Sequence, residues 1–414
     1  MGTIRKSLIQ MIFSGSFMKR WNDKIRPFEL WEVDKQAHKM IVAWVLFFLN
    51  SRDLPLGERI SLGLKIIEGA IFEYLYRLVI TDIKPPIFYR IKSNPVHYSQ
   101  LTHWVFEHLE PRVRPVGEDF WSRLKKYFLE PEEEGLSKSI LEFSHLFASQ
   151  WEFELIKGMN KWDEEIKEID LSFKRSLSRF THIHGVAELV EEVSSPLKNF
   201  IYQTAQLRFQ KRWSQTPRIP ETSVLGHMFI VACYAYFFSM AMGACDAMKM
   251  NNFFCGLFHD LPELLTRDII SPVKRSVQRI GDLIKEYENM ELERRIFSVL
   301  EGGGFGEMSR ELKYLLGIEV GSEFVPVILL DGEVKELTWD LLYSRFNEDR
   351  FYPKDGELLR ICDNIAAFVE AYTALRNGIT SDHLQQAVWR IRNDYNQFSL
   401  GDKLHVGSLL ADFD

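Results

Sequence analysis

The chain repeats itself. Four segments of its first half resemble four segments of its second half, and they occur in the same order. The pairs are FMKRWNDKIRP (17–27) with FQKRWSQTPRIP (209–220), HKMIVAWVLFF from His38 with HMFIVACYAYFF from His227, AIFEYLYRLVITDIKPP (70–86) with GLFHDLPELLTRDIISP (256–272), and LEFSHLFASQWEFEL from Leu141 with LRICDNIAAFVEAYT from Leu359. Because collinear self-similarity indicates a repeated architecture, the sequence predicts two copies of one unit.

These units are predicted to be helical. Apolar residues recur at helical spacing through most segments, whereas strand-like alternation is confined to GIEVGSEFVPVILLDG (317–332), where a short hairpin is plausible. The expected fold is therefore all-α, with two tandem helical units at residues 1–160 and 196–414. A charged helical linker at 161–195 joins them.

The second unit carries a long insertion. Its stretch between Asp268 and Asp363 is longer than the corresponding stretch between Asp82 and His145 in the first unit. A mobile lid is one interpretation, and an unstructured connector is another, because Gly302 to Gly304 lack the Lys-Ser/Thr of a phosphate-cradling loop. The sequence leaves the role of residues 299–335 open.

Composition narrows the possible partners. The formal net charge is -7, which argues against duplex nucleic acid or an anionic membrane as the main partner. The uncharged stretch at 228–245 approaches the length of a membrane span, but its polar residues favour a buried core helix.

The cysteines form no C-x-x-C pair and lie in apolar runs, which fits reduced thiols in a cytoplasmic protein. They are Cys233, Cys245, Cys255 and Cys362.

Four residues of the second unit form a candidate metal site. His259 and Asp260 are adjacent, so on a helix both reach one ion only if the helix presents its edge. His227 and Asp363 complete the set from other helices. Two imidazoles and two carboxylates suit borderline divalent ions. The alternative is that these residues are core histidines and capping aspartates.

The second unit also resembles a known family. HDLPELLTRDIISPVK (259–274), CDNIAAFVEAYTALRNG from Cys362 and the tripeptide Lys-Arg-Trp at 211–213 resemble motifs of the bacterial 5'-deoxynucleotidase family of HD-domain phosphohydrolases. The resemblance covers roughly residues 196–380. Two positions depart from the family pattern, Gly226 in place of a glutamate and Met228 in place of a serine, which leaves substrate preference open.

The resemblance implies a fold, a cofactor and a reaction. It implies a helical domain that holds one divalent metal ion (Mn, Co, Fe, Ni, Zn or Mg) through His227, His259, Asp260 and Asp363. The ion would activate a water that releases phosphate from nucleoside or deoxynucleoside 5'-monophosphates. The first unit is then a degenerate HD-like copy.

Two carboxylates are candidates for proton handling. Glu263 is four residues after His259, so a continuing helix would place it on the same face, where it can orient the attacking water. Pro262 complicates this geometry, because it can begin a new helical turn. By resemblance Asp268 would protonate the leaving 5'-oxygen or orient the nucleophile, and its alternative role is a helix cap.

Three further residues are candidates for substrate binding. The guanidinium of Arg212 matches phosphate oxygens, and Trp213 offers a face for a base or sugar. Lys274 could balance phosphate charge or be a surface lysine. Because the first unit keeps Arg20 and Trp21, packing between helices is the alternative role of the arginine and tryptophan.

The first unit lacks the His-Asp pair. Opposite the four metal residues stand His38, Glu73, Tyr74 and His145. Either this site is kept only for structure, or His38, Glu73 and His145 bind a second divalent ion.

The sequence leaves two functions open. The leading one is a 5'-nucleotidase-like phosphohydrolase that acts on a small-molecule nucleotide. In this function the first unit serves as a scaffold, and the sequence allows a homo-oligomer. The alternative is a non-catalytic metal- and nucleotide-binding sensor or scaffold. Keeping Glu263 and Asp268 favours the enzyme, because a sensor needs no proton-handling carboxylates.

Overall fold

A computed structural model describes residues 3–130, 135–191, 194–266 and 278–413. Within these residues the fold is mainly helical, which confirms the predicted all-α class. The first half contains α1 (Lys6–Ser14), α2 (Glu32–Ser51), α3 (Leu56–Ile80), α4 (Pro85–Lys92), α5 (Pro95–Val113), α6 (Glu118–Leu129), α7 (Leu136–Ile156), α8 (Glu165–Leu177) and α9 (Val186–Glu191).

The second half continues the helical pattern and adds two small sheets. Its helices are α10 (Pro196–Ala205), α11 (Val224–Met242), α12 (Asp246–Phe258), α13 (Glu263–Thr266), α14 (Gln278–Leu292), α15 (Ser298–Gly302), α16 (Gly306–Leu316), α17 (Trp339–Arg345), α18 (Gly356–Arg376), α19 (Asp382–Tyr395) and α20 (Val406–Ala411). The antiparallel strand pairs are β1 (Val327–Leu330) with β2 (Glu333–Glu336), and β3 (Ser399–Leu400) with β4 (Leu404–His405).

Helix α11 lies at the centre of the protein. The side chain of Ser223 accepts a hydrogen bond from the Gly226 amide and caps its start, and Gly243 ends it in the left-handed conformation. The helix is long and apolar enough to cross a membrane, but 94% of its most apolar window is buried inside the protein. A helix that is apolar on all sides needs such surroundings, so α11 is the core helix that the sequence predicted.

The two halves share one hydrophobic core. A single cluster of buried apolar residues extends from Ile4 to Phe413, and α2 packs directly against α11. At this contact Asp34 of α2 accepts a hydrogen bond from Ser223 Oγ at 2.5 Å. A Cβ added at Gly226 would meet Asp34 Oδ1 at 2.7 Å, so a glutamate at that position would not fit. The domain boundaries at 160 and 196 remain predictions.

The starts of α2 and α11 follow the same local pattern. Lys19 pairs with Trp31 and Lys211 pairs with Ser223 in isolated antiparallel bridges, and these two partners are the N-caps of the two helices. Trp21 and Trp213 both have positive φ angles, of 56° and 57°.

This pattern corrects one residue pairing. His227 is the fourth residue after the Ser223 cap, and the fourth residue after the Trp31 cap is Lys35. The pairing of His38 with His227 is therefore wrong, because His38 is the seventh residue after the Trp31 cap. Duplication of the whole unit remains a prediction.

The insertion contains the expected hairpin. Strands β1 and β2 are joined by Asp331 and Gly332, which both have positive φ angles, of 53° and 82°. Two consecutive left-handed residues match the right-handed twist of a tight hairpin, and Asp-Gly is a favoured pair for that turn. The preceding loop, residues 317–323, reaches the candidate site described next.

Candidate metal centre

Three segments of the second half bring the site together. His227 lies in the first turn of α11, and Asp363 lies in α18. Helix α12 ends at Phe258, so His259 and Asp260 occupy the turn that follows rather than the helix itself. Pro262 fits this turn, because the residue before a proline disfavours helical backbone angles. The turn, and not a helix edge, lets both neighbours face one point.

A close approach of α11 and α12 fixes the spacing of the two histidines. A Cβ added at Gly256 would meet the backbone of Ala232 at 2.8 Å, so only glycine permits this contact. The Gly256 carbonyl also lies 2.8 Å from His259 Nδ1. The Nδ1–H of the imidazole donates to this carbonyl, which leaves Nε2 for another partner.

The ligand atoms converge. One donor atom each from His227, His259 and Asp363 lie within 4.8 Å of one another. His227 Nε2 is 3.0 Å from Asp363 Oδ1, and His259 Nε2 is 4.0 Å from the same oxygen. Asp260 Oδ2 is 3.3 Å from His259 Nε2 and 3.7 Å from His227 Nε2. The predicted four residues therefore lie around one point.

The electrostatics of this cluster favour a cation. Burial lowers the pKa of His259, but the Asp260 carboxylate outweighs it and raises that pKa to about 9. Although burial opposes the effect, His259 and Arg212 hold the pKa of Asp260 well below its usual range. The pKa of Asp363 is lowered in the same way by His227. These shifts mean that the carboxylates stay charged.

The cluster fits a bound divalent ion. Within the described parts of the chain, the buried Nε2 of His259 makes no hydrogen bond of ordinary geometry and lies 3.3 Å from Asp260 Oδ2 in an ionic contact, so a metal ion would satisfy it better. Two imidazole nitrogens and two carboxylates form a donor set suited to Mn, Fe, Co, Ni or Zn. The identity of the metal is not fixed by this set.

Glu370 supports the site and was missed in the sequence analysis. It lies two turns after Asp363 in α18 and is 1% exposed. Its carboxylate accepts hydrogen bonds from Trp213 Nε1 at 2.9 Å, Thr222 Oγ1 at 2.8 Å and Arg212 Nε at 3.3 Å. Oε1 lies 3.6 Å from His227 Nδ1. A carboxylate behind a metal-binding histidine orients the ring and raises its basicity.

Arg212 and Trp213 lie beside the predicted metal residues. Arg212 Nη1 is 3.2 Å from Asp260 Oδ2, and the guanidinium is partly exposed. The ring of Trp213 packs under the guanidinium of Arg218, 5.6 Å from the ring centroid. These contacts place Trp213 in the packing around Arg212, and its role in substrate binding stays a prediction.

A cavity of about 130 Å³ opens beside the metal residues. Glu263, which begins α13 and is 7% exposed, lines it together with His259 and Asp260. The remaining walls come from the insertion: Lys285, Glu288 and Asn289 of α14, and Leu316 with several residues of the loop at 317–323. The predicted site residues Asp268 and Lys274 lie outside the described residues.

The proposed second metal site in the first half is not assembled within the described residues. Among the residues that the structure describes, the only close group of three metal-ligating side chains is that of His227, His259 and Asp363, which belongs to the second half. His145 Nδ1 is instead 2.6 Å from Lys35 Nζ, and Glu73 pairs with Lys39. His38 packs on the ring of Trp151, with 5.3 Å between ring centroids.

Comparison with known proteins agrees with this site. Residues 204–392 match the family model of the HD domain. A search of curated proteins and a search of solved structures give no match. The match supports the assignment of this part of the chain to the HD-domain superfamily. Together with the His/Asp cluster, it supports a metal-dependent phosphohydrolase as the class of protein.

Proposed function

We propose that the second half of the chain hydrolyses the phosphate ester of nucleoside or deoxynucleoside 5'-monophosphates. The observation that carries the proposal is the convergence of His227, His259, Asp260 and Asp363 at the edge of a cavity that Glu263 also lines. A ligand set beside an additional buried carboxylate supports chemistry rather than binding alone.

The side chains can divide the work. Arg212 directs a planar guanidinium toward the metal residues and can pair with phosphate oxygens. Glu263 can accept a proton from the attacking water and hold that water in line. A divalent ion, when bound by the four ligands, polarises the phosphoryl group and lowers the pKa of a coordinated water.

The rest of the proposal comes from the family resemblance and, for the compartment and the excluded partners, from composition. Asp268 is the proton donor to the leaving 5'-oxygen, Lys274 balances phosphate charge, and Trp213 contacts the base or sugar. The substrate is a small-molecule nucleotide and the site of action is the cytoplasm. Duplex nucleic acid and membranes are not partners, and the first half serves as a scaffold.

The test is phosphate release from a panel of nucleoside and deoxynucleoside mono- and triphosphates with Mn, Co, Mg or no metal. Wild type is compared with Asp260→Ala and Glu263→Ala. The control is Asp246→Ala, which removes an exposed aspartate on α12 that forms an ion pair with Lys249 of the same helix. We expect metal-dependent release from monophosphates that is lost in both site variants and kept in the control.

Two outcomes would overturn the proposal. Release from triphosphates alone would move the activity to another class of phosphohydrolase. Tight binding of metal and nucleotide without any turnover by wild type would favour the sensor function.

A further inference from the structure

The first half contains a buried basic cluster beside His145 and Glu73, two of the three residues of the candidate second metal site. Its cations approach one another around His145 and Glu32. We define the N-terminal basic cluster as Arg20, Lys35, Lys39, Arg77 and His145. Lys35 and Lys39 are fully buried, Arg20 and Arg77 are 13% and 22% exposed at their side chains, and His145 is half-buried.

Short contacts tie the cluster together. Lys35 Nζ donates to His145 Nδ1 at 2.6 Å, and Lys39 pairs with Glu73. Arg20 Nη1 and Arg77 Nε lie 2.9 Å and 3.6 Å from the same oxygen of Glu32. The partly exposed arginines therefore form the outer side of a cluster whose inner side is Lys35.

The charges of the cluster balance while Lys35 is neutral. Besides its own members the cluster contacts Arg208, through the shared partner Glu152. Burial holds the pKa of Lys35 well below its usual range, so the charged groups Arg20, Lys39, Arg77 and Arg208 face four carboxylates. The carboxylates are Glu32, Glu73, Glu152 and Asp82.

The metal centre of the second half has an excess of carboxylates. There Arg212, Arg218 and the protonated His259 face four carboxylates, those of Asp260, Glu263, Asp363 and Glu370. Without a bound metal this site carries net negative charge, whereas the N-terminal basic cluster gains a positive charge when Lys35 is protonated.

Corresponding positions explain the different charge balance of the two sites. Counted from the helix caps, Lys35 takes the position of His227. In the repeated segments Arg77 stands opposite Glu263 and His145 stands opposite Asp363. The supporting arrangement is kept, because Arg20 Nε and Trp21 Nε1 donate to Glu152 as Arg212 and Trp213 do to Glu370.

We propose that the N-terminal basic cluster is a metal-independent binding site for the phosphate group of a phosphate monoester, which it holds without hydrolysing it. Arg20 and Arg77 contact the phosphate from the exposed side, and Lys35 donates from behind. This site lies outside the proposed catalytic centre and does not depend on it.

The pKa of Lys35 links anion binding to proton uptake. Burial lowers the pKa of Lys35 well below its usual range, and Arg20 and Lys39 lower it further. Glu32 and Glu152 oppose this effect only in part. A bound phosphate would stabilise the charged form of Lys35, so binding should be accompanied by proton uptake.

The experiment uses the full chain in excess chelator. Inorganic phosphate, adenosine 5'-monophosphate and uncharged adenosine are titrated by calorimetry. We expect one equivalent of phosphate or monophosphate per chain and no binding of adenosine. Repeating the titration in two buffers of different ionisation enthalpy should show net proton uptake.

Variants assign the binding to the cluster. Lys35→Met and Arg77→Met should each weaken binding about tenfold or more, because each removes a charged hydrogen-bond donor. The matched control is Arg123→Met, which breaks the exposed ion pair of Arg123 with Glu68 and should change nothing. All variants should keep the helical circular dichroism spectrum and the metal content of wild type.

The inference fails if the chelated protein binds neither phosphate nor monophosphate. It also fails if binding survives in both cluster variants. If Lys35→Met does not fold, the partly exposed Arg77→Met decides alone. Phosphate release by the metal-loaded protein is measured separately, so failure of this site and failure of the proposed hydrolase are distinguishable.

Discussion

Glu370 is the residue whose role is most open to a direct test, because it touches the metal site without being a predicted ligand. Replacing it by glutamine keeps its shape but removes the charge that faces Arg212 and His227. We expect Glu370→Gln to weaken metal affinity by about 10- to 100-fold, the usual cost of losing a supporting carboxylate. Metal titration followed by calorimetry measures this effect.

The first half supplies the control. Glu152 receives the same pair of donors from Arg20 and Trp21 but lies beside Lys35 and His145. Glu152→Gln should leave metal affinity unchanged. Equal losses in the two variants would mean that both act through general stability.

Asp34, at the contact between α2 and α11, makes stability depend on pH. Burial raises the pKa of Asp34 to about 6, although Arg208 and Ser223 oppose the shift. In the unfolded chain this carboxyl group releases its proton near pH 4. The contribution of Asp34 to the free energy of unfolding is therefore complete below pH 4, and up to about 3 kcal/mol of it is lost as pH rises through 6.

Asp34→Asn removes this penalty. The variant should gain stability relative to wild type as pH rises from 4 to 7, measured as the free energy of unfolding in urea. The matched control is Asp53→Asn. The side chain of Asp53 is 90% exposed, so the stability difference between this variant and wild type should not change with pH. A difference that is constant with pH would contradict the assignment to Asp34.

At the scale of elements, the approach of α12 to α11 controls the distance between the two histidines. Gly256→Ala would place a methyl group against the backbone of Ala232, which cannot move aside cheaply. We expect a loss of about 1–3 kcal/mol in the free energy of unfolding and weaker metal binding.

The control for this change is another helical glycine. Gly57 in α3 has open space around its added Cβ, so Gly57→Ala should stabilise by up to about 1 kcal/mol. Unfolding in urea and metal titration measure both variants. A Gly256→Ala protein with wild-type metal affinity would show that the helix spacing is not what positions the ligands.

The elements also show where sequence reasoning succeeded and failed. The helical class, the hairpin and the convergence of the four predicted metal residues followed from spacing and motif. The pairing of His38 with His227 failed because residues 40–49 of α2 and most of α11 are apolar on every side. A shift of about one turn therefore leaves the pattern almost unchanged. The bridges that set the register join residues distant in sequence, so they were visible only in the structure.

Glu370 could have been found earlier. In the fourth repeated segment it stands opposite Glu152, an acidic residue of the same type within an apolar helix. A buried charge needs partners, so an identical carboxylate in both copies indicates a shared supporting role. The position of the loop at 317–323 had no such signal, because long insertions carry little information about where they pack.

For the whole molecule, the shared core predicts that metal binding stabilises both halves together. Saturation at 100 times the dissociation constant contributes about 2.7 kcal/mol, so chelation should lower the melting temperature of the entire chain by a few degrees. Differential scanning calorimetry should show one transition that moves as a unit. Asp363→Asn should remove the response to chelator. Two separate transitions, with only one responding, would mean that the halves unfold independently.

The depth of the metal residues has a kinetic consequence. The side chains of His227 and His259 are 0% and 1% exposed, whereas those of Asp260 and Asp363 are 18% and 29% exposed. An ion held by this set can exchange with solvent only past the carboxylates, since the imidazoles lie against α11 and α12. The residence time of the ion should therefore depend mainly on the two carboxylates. We expect the wild-type protein to keep its ion on dilution, and a variant that lacks one carboxylate to release it quickly.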